Sequence, residues 1–233
     1  MKLPSFVSST AFVSTLACFA VVVSVMGLAL VAFPFKSYAE EKMKKNPDTL
    51  EIPENTEVAT FGAGCFWCVE EFFHQTEGVA STLSGYMGGK KETATYDHVK
   101  TGRTDHVEVV QVYFDPQVIS FDKLLDRFFE LHDPTTLNRQ GYDRGTQYRS
   151  VIFYRGDEQK AASEAKIKEL TKAEAFEDPI VTAIEQAEEF YLAEDYHQNF
   201  ARLNPNNPYL HNVLFPKLKK LGLKVPTTGG VED

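Results

Sequence analysis

Val58-Ala59-Thr60-Phe61-Gly62-Ala63-Gly64-Cys65-Phe66-Trp67-Cys68-Val69-Glu70 carries the chain out of a strand and into a helix, with two cysteines at the crossing. The apolar run 58–63 reads as a strand. A short helix follows over 66–75 and stops near Gly78. Cysteines at i and i+3 share one face of a helical turn, so their sulfurs can meet. A thiol at a helix N-terminus is drawn toward thiolate by unpaired backbone N–H groups and the helix dipole. Phe66 and Trp67 can build an apolar pocket beside it. The segment describes a nucleophile, a second thiol to relieve it, and a seat for a small apolar group.

Elements alternate outward from there. Residues 79–86 read as a second strand ending at Gly88-Gly89. The Val-rich run 107–114 is a third, closed by Asp115-Pro116. Ser120 is a suitable N-cap for the next helix. The apolar residues of that helix, Phe121, Leu124, Leu125, Phe128 and Phe129, recur at helical spacing. Asp133-Pro134 ends it. Residues 150–154 form a further strand, 157–173 a charged helix, and 180–184 one more strand. Beyond Asn204 the chain is rich in Pro and Asn and reads as coil over the surface. The order β-α-β-β-α-β is that of the split β-α-β plait. The expected class is therefore α+β, a ferredoxin-like two-layer sandwich with a long C-terminal coil.

The chain has 233 residues, 43% of them hydrophobic, enough for one sizeable domain and an extension. Its net charge is −9, from 33 acidic and 24 basic residues, with no basic stripe. Nucleic acid is thus not the expected partner. Lys2 precedes an uncharged run, 10–35, long enough to span a bilayer. Ser37-Tyr38-Ala39 has the small-x-small form of a cleavage site. A cleaved signal peptide and a retained single-span membrane anchor both fit residues 1–39. Either puts the domain outside the cytoplasm, in a bacterial periplasm or an equivalent space. Residues 40–56 read as a polar linker, 57–220 as the domain and 221–233 as a tail. A monomer is the default.

Cys18 lies in the N-terminal apolar run, which leaves Cys65 and Cys68 for the domain. Three readings of that pair stand together: small buried hydrophobes, half a zinc site, and a redox dithiol. Zinc would need two further ligands, and the six histidines show no such pairing. A thioredoxin-type dithiol must let a protein disulfide approach, for which Phe66-Trp67 is a poor spacer. Glu108 shares one strand face with Val110, Val112 and Phe114. A carboxyl on so apolar a face is desolvated, its pKa rises, and it can serve as a proton donor. The bland alternative is a strand-end Glu reaching solvent. Tyr96 and Tyr148 each carry a phenol that can hydrogen-bond an oxygen in a pocket. Asp143, before Arg144-Gly145, is a natural turn residue. Glu70 and Glu71 suit the first turns of the helix, and His197 reads as a structural hydrogen-bonder.

Gly64-Cys65-Phe66-Trp67 with Glu70 resembles the signature of the A-type peptide methionine sulfoxide reductases. Tyr96, the run His106-Val107-Glu108-Val109-Val110, the run from Gln140 to Ser150, and Ala193-Glu194-Asp195-Tyr196-His197-Gln198 resemble that family too, in order and spacing. The similarity covers residues 57–220. It implies that Cys65 is the nucleophile and that Phe66 and Trp67 hold the substrate's S-methyl group. It implies that Glu108 protonates the sulfoxide oxygen, that Tyr96 and Tyr148 hydrogen-bond it, and that Asp143 helps organise the site. It also implies preference for the S epimer, oxidised proteins and peptides as substrates, no metal or bound cofactor, and a thioredoxin-like dithiol as external reductant. Many members carry resolving cysteines in the C-terminal tail. Here no cysteine follows Cys68, so the resemblance leaves Cys68 for that role.

Overall fold

Glu57 to Glu232 of this computed structural model alternate strand and helix around one sheet; the structure describes residues 55–232. The expected leader, Cys18 and nearly all of the polar linker lie outside those residues. In chain order the elements are β1 (Glu57–Ala63), α1 (Phe66–His74), β2 (Val79–Met87), α2 (Tyr96–Val99), β3 (Val107–Phe114) and α3 (Phe121–Leu131). A small hairpin follows, β4 (Arg139–Gln140) with β5 (Asp143–Arg144), then β6 (Ser150–Tyr154), α4 (Gly156–Lys172), β7 (Ala183–Gln186) and β8 (Tyr191–Leu192). The chain closes with α5 (Phe200–Leu203), α6 (Pro208–Val213), α7 (Phe215–Lys220) and the hairpin β9 (Val225–Thr227) with β10 (Gly230–Glu232).

The main sheet has six strands in the order β7-β6-β1-β3-β2-β8. Its four inner strands, β6, β1, β3 and β2, pair antiparallel. This is the strand order of a split β-α-β plait, with α1 linking β1 to β2 and α3 lying between β3 and β6. β7 adds in parallel beside β6.

Strand alternation divides the core. Phe61 of β1 and Val110, Val112 and Phe114 of β3 join Phe72 and Phe73 of α1 and Leu124, Leu125 and Phe128 of α3 in the larger cluster. Phe61 stacks between Phe73 and Phe128, with ring centroids 5.2 and 5.0 Å away. Each such side chain, fully buried, contributes about 1.5–3 kcal/mol. Odd-numbered Val107 and Val109 meet Val151 and Phe153 on the other face. Glu108, being even, is thereby committed to the helix side of the sheet. The Ser120 hydroxyl accepts from Lys123 N–H at 3.3 Å, the N-cap that the sequence announces.

The C-terminal region differs from the coil expected of it. α6 and α7 occupy residues after Asn204, and Leu210, Leu214, Phe215 and Leu218 are buried in the main core. The apolar spacing Leu210, Leu214, Leu218 is helical, but Pro208 and Pro216 hid it. Both prolines sit in the first turn of a new helix, where the missing N–H is no loss. Among the described residues, no helix is long and apolar enough to cross a membrane.

Candidate active site

Gly64 turns the chain from β1 into α1. Its φ of +92° suits glycine, and a Cβ there would lie 2.7 Å from the Gln140 side chain. Cys65 follows as the N-cap, with φ −57° and ψ 122°, outside the helix proper. Its carbonyl accepts from Cys68 N–H at 3.1 Å and Val69 N–H at 3.4 Å. Cys65 itself lies outside the helix, so of the two cysteines only Cys68 is held in helical geometry. Both thiols are free, and Cys68 is close enough to share a side-chain hydrogen bond with Cys65.

The helix N-terminus does not leave Cys65 as a ready thiolate, as its position suggested. The residue is 9% exposed. Burial, the hydrogen bond with Cys68, and the nearby Cys68 and Glu108 charges push its thiol well above the usual range. Desolvation outweighs the favourable position at the end of α1.

Glu108 fulfils the desolvated-carboxyl expectation rather than the solvent-reaching one. It is 2% exposed, and its Oε2 accepts from Phe66 N–H at 3.1 Å. Burial raises its pKa from 4.5 to about 8, against the pull of that N–H, with Asp143 and Cys68 adding to the rise. At neutral pH the pocket therefore holds a protonated carboxyl.

Tyr96 from α2 and Tyr148 from the turn before β6 both lie within electrostatic reach of Glu108 and Cys65. Burial raises both phenols, and each also senses the charges of Glu108, Cys65 and Asp143. Four separate segments thus bring Cys65, Glu108, Tyr96 and Tyr148 together.

Phe66 and Trp67 belong to an aromatic group. Phe66 is buried against Tyr86 and His197, with centroids 5.8 and 4.9 Å away. Trp67 stacks on Phe200 at 3.7 Å and 11°. Its indole N–H donates to His197 Nδ1 at 3.0 Å. That bond requires Nδ1 to be unprotonated, and burial, opposed by Glu194, lowers the His197 pKa accordingly. His197 so locks Trp67 in place. Glu194 in turn accepts from Tyr86 O–H and from Tyr96 N–H, both at 2.9 Å.

Asp143 does more than turn the chain. Its Oδ2 accepts from Tyr209 O–H at 2.5 Å. Burial raises its pKa, with Tyr209 and Lys217 opposing. Tyr209 also reaches the Cys65 sulfur. Its single proton cannot serve both partners at once, and the short contact assigns it to Asp143 in this state. Sequence reading missed Tyr209 because it lies in the supposed coil; the N-cap Asn207 followed by Pro208, with Asn207 Oδ1 accepting from Tyr209 N–H at 2.9 Å, was the available signal. Both thiols, Asp143, Tyr209, Tyr142 and Lys217 line a cavity of about 220 Å³.

Glu70 and Glu71 are structural, through burial and pairing past the first turn of α1 rather than through its dipole. Both are buried. Glu71 pairs with Arg202 at 2.7 and 3.2 Å and so ties α5 to α1. Burial raises Glu70 to about 8, with a backbone N–H from Asn199 opposing. Among the described residues no group of three or more His, Cys, Asp or Glu is arranged to hold a metal ion.

Comparison with known proteins matches this geometry to one family. The family model described as peptide methionine sulfoxide reductase matches residues 57–227. A peptide methionine sulfoxide reductase MsrA of Methanosarcina acetivorans is 51% identical over 180 residues, 76% of this chain and 94% of that protein. One from Methanothermobacter thermautotrophicus is 57% identical over 159 residues, 68% of this chain and 94% of its own. Among solved structures, methionine sulfoxide reductase A of Corynebacterium diphtheriae superposes with a TM-score of 0.60 at 33% identity, covering 78% of this chain and 85% of its own. The reduced form of Mxr1 from Saccharomyces cerevisiae gives 0.61 at 36% identity, over 66% and 89%. The chain belongs to the peptide methionine sulfoxide reductase family, and it is an oxidoreductase that reduces methionine sulfoxide.

Proposed function

We propose that the chain reduces the S epimer of methionine sulfoxide in proteins and peptides, with Cys65 as nucleophile and Glu108 as acid. The observation that carries this reading is the buried Glu108 carboxyl, its pKa raised to about 8, held by Phe66 N–H beside a buried thiol. The substrate methyl lies against Phe66 and Trp67. The sulfoxide oxygen faces Glu108, Tyr96 and Tyr148. Cys65 sulfur attacks the substrate sulfur while Glu108 gives its proton to the oxygen, and the phenols stabilise charge developing there. The oxygen then passes from the substrate sulfur to Cys65: the transient Cys65–substrate S–S bond and the substrate S–O bond break as a Cys65 S–O bond forms, giving methionine and a Cys65 sulfenic acid. The Cys65 thiol proton restores Glu108, so the step takes up no net proton.

Cys68 then attacks the Cys65 sulfur and expels water, leaving a Cys65–Cys68 disulfide. A thioredoxin-like dithiol supplies the two electrons that reopen it by exchange. The bare thiol–disulfide oxidoreductase alternative leaves Glu108 and two phenols without a task. The uncharged run 10–35 supports an extracytoplasmic site of action. Finding the full chain in the cytoplasmic fraction would refute that part.

The test is a single turnover of pre-reduced protein with peptides carrying separated S and R epimers. Product and protein mass are followed together. Methionine from the S epimer alone, with a two-hydrogen loss mapped to Cys65 and Cys68, is expected. Equal product from both epimers, or none with the dithiol intact, would overturn the reading.

A further inference from the structure

We propose that Lys217 is a positioning residue for Cys68, its ammonium holding the negative charge that Cys68 carries when it attacks oxidised Cys65. The inference rests on the reading of Cys68 as the resolving thiol.

Three lysines lie on α7. Lys219 and Lys220 are exposed, while Lys217 is half-buried and lines the cavity that both cysteines line. Leu214 and Leu218 of the same stretch are buried in the core, so Lys217, three residues from one and next to the other, sits at the edge of the inward face. Such a side chain can lay its stem on apolar surface and aim its head at a polar opening. Lys217 is the only lysine or arginine lining that cavity. It closes no ion pair among the described residues. Burial draws its pKa down, and the charges of Cys68, Asp143 and Asp133 oppose that fall, Cys68 first.

The groups that face this sulfur are few. Cys65 lies on the same turn, Glu108 comes from β3, Tyr209 from α6 and Lys217 from α7. Asp143 of β5 and Asp133 after α3 face Lys217 as well, and Asp143 is already held by Tyr209. Only Lys217 is a cation. A thiol attacks as its thiolate. In a closed pocket, charge on that sulfur needs a counter-charge more than it would in water. No cysteine after residue 68 can take over resolution. In the step itself the Cys68 sulfur bonds to the Cys65 sulfur and the Cys65 S–O bond breaks. The leaving hydroxide takes a proton in place of the one Cys68 released, so water forms with no net proton change.

The experiment separates the two half-reactions. Pre-reduced full chain is mixed with S-sulfoxide peptide. Samples are quenched over time and assayed for methionine, for dimedone-trapped Cys65 sulfenic acid and for the Cys65–Cys68 disulfide. For Lys217→Met we expect sulfenic acid to accumulate and disulfide formation to slow by about tenfold or more near pH 7. Lys217→Arg should restore most of the rate. Disulfide forming at the native rate in Lys217→Met overturns the proposal, as does an equal slowing in Lys217→Met and Lys217→Arg. Cys68→Ser run in parallel tests the underlying reading: if it still turns over fully with thioredoxin as reductant, Cys68 is not the resolving thiol and the role of Lys217 falls with it.

Discussion

Replacing Glu108 with Gln should weaken the enzyme and strengthen the fold, the second only above a definite pH. Glu108 is 2% exposed and its pKa rises from 4.5 to about 8 on folding. Below pH 4.5 the carboxyl is protonated in both folded and unfolded chains, and its burial brings no electrostatic penalty. Between 4.5 and 8 the folded chain keeps a proton that the unfolded chain loses, so stability declines as pH rises. Above 8 the penalty is complete. At 1.36 kcal/mol per pH unit the interval corresponds to roughly 5 kcal/mol, an upper bound for one group. Gln has no such penalty, and its carbonyl oxygen can still accept from Phe66 N–H. Glu70, raised in the same direction, is present in both proteins and drops out of the difference. Urea unfolding at pH 5 and pH 9 should therefore show Glu108→Gln nearly level with the native chain at the lower pH and clearly more stable at the higher. Methionine release in a single turnover should fall by about 10²–10⁴. The native rate should itself decline as pH passes 8, whereas the residual rate of the variant should not follow that decline. A stability difference of the same size at both pH values, or a native rate unchanged across pH 8, would refute the assignment of a buried, protonated acid.

Cys68→Ser should release about one methionine per chain and then stall with thioredoxin as reductant, read as a burst without a steady state. Tyr209→Phe strips Asp143 of its 2.5 Å donor; a loss of about 1–3 kcal/mol in urea unfolding is expected, together with slower methionine release. An unchanged unfolding midpoint would mean the contact is idle. Leu218→Ala should cost about 2–5 kcal/mol if α7 is part of the core, and close to nothing if the C-terminal segment merely lies on the surface.

The plait could be read from the sequence because its strands and helices announce themselves locally. Val107–Phe114 and the amphipathic Phe121–Leu131 keep their periods without interruption, and Ser120 marks the boundary. Glu108 was legible for the same reason, since a charge at an even position on an apolar face stands out. The C-terminal helices were not. Pro208 and Pro216 read as breakers, although each opens a helix. Tyr209 and Lys217 were lost with them, because a phenol or an ammonium in an assumed coil carries no signal of where it points. The thiol's ionisation was misjudged for a different reason. Sequence places Cys65 at a helix N-terminus, whereas its burial depends on β3, α6 and the hairpin of β4 and β5, all remote in the chain.

That misjudged thiol bears on how the site works. A thiolate beside an ionised Glu108 would put two negative charges in a desolvated pocket; Glu108 helps to raise the Cys65 thiol, and Asp143 and Cys68 help to raise Glu108. The neutral pair keeps in the site the proton that the reaction needs, and Cys65 gains its nucleophilic charge only as it gives up its own proton during the attack. Sulfoxide reduction by a thiol moves one oxygen from substrate sulfur to enzyme sulfur, and its protons can be passed within the site: Glu108 gives one to the departing oxygen and Cys65 gives one back. Charge then appears only in passing, where Tyr96 and Tyr148 can meet it. Resolution is the opposite case, because Cys68 must carry charge before it attacks. The one lysine or arginine that lines the cavity, Lys217, lies near Cys68, where it can meet that charge.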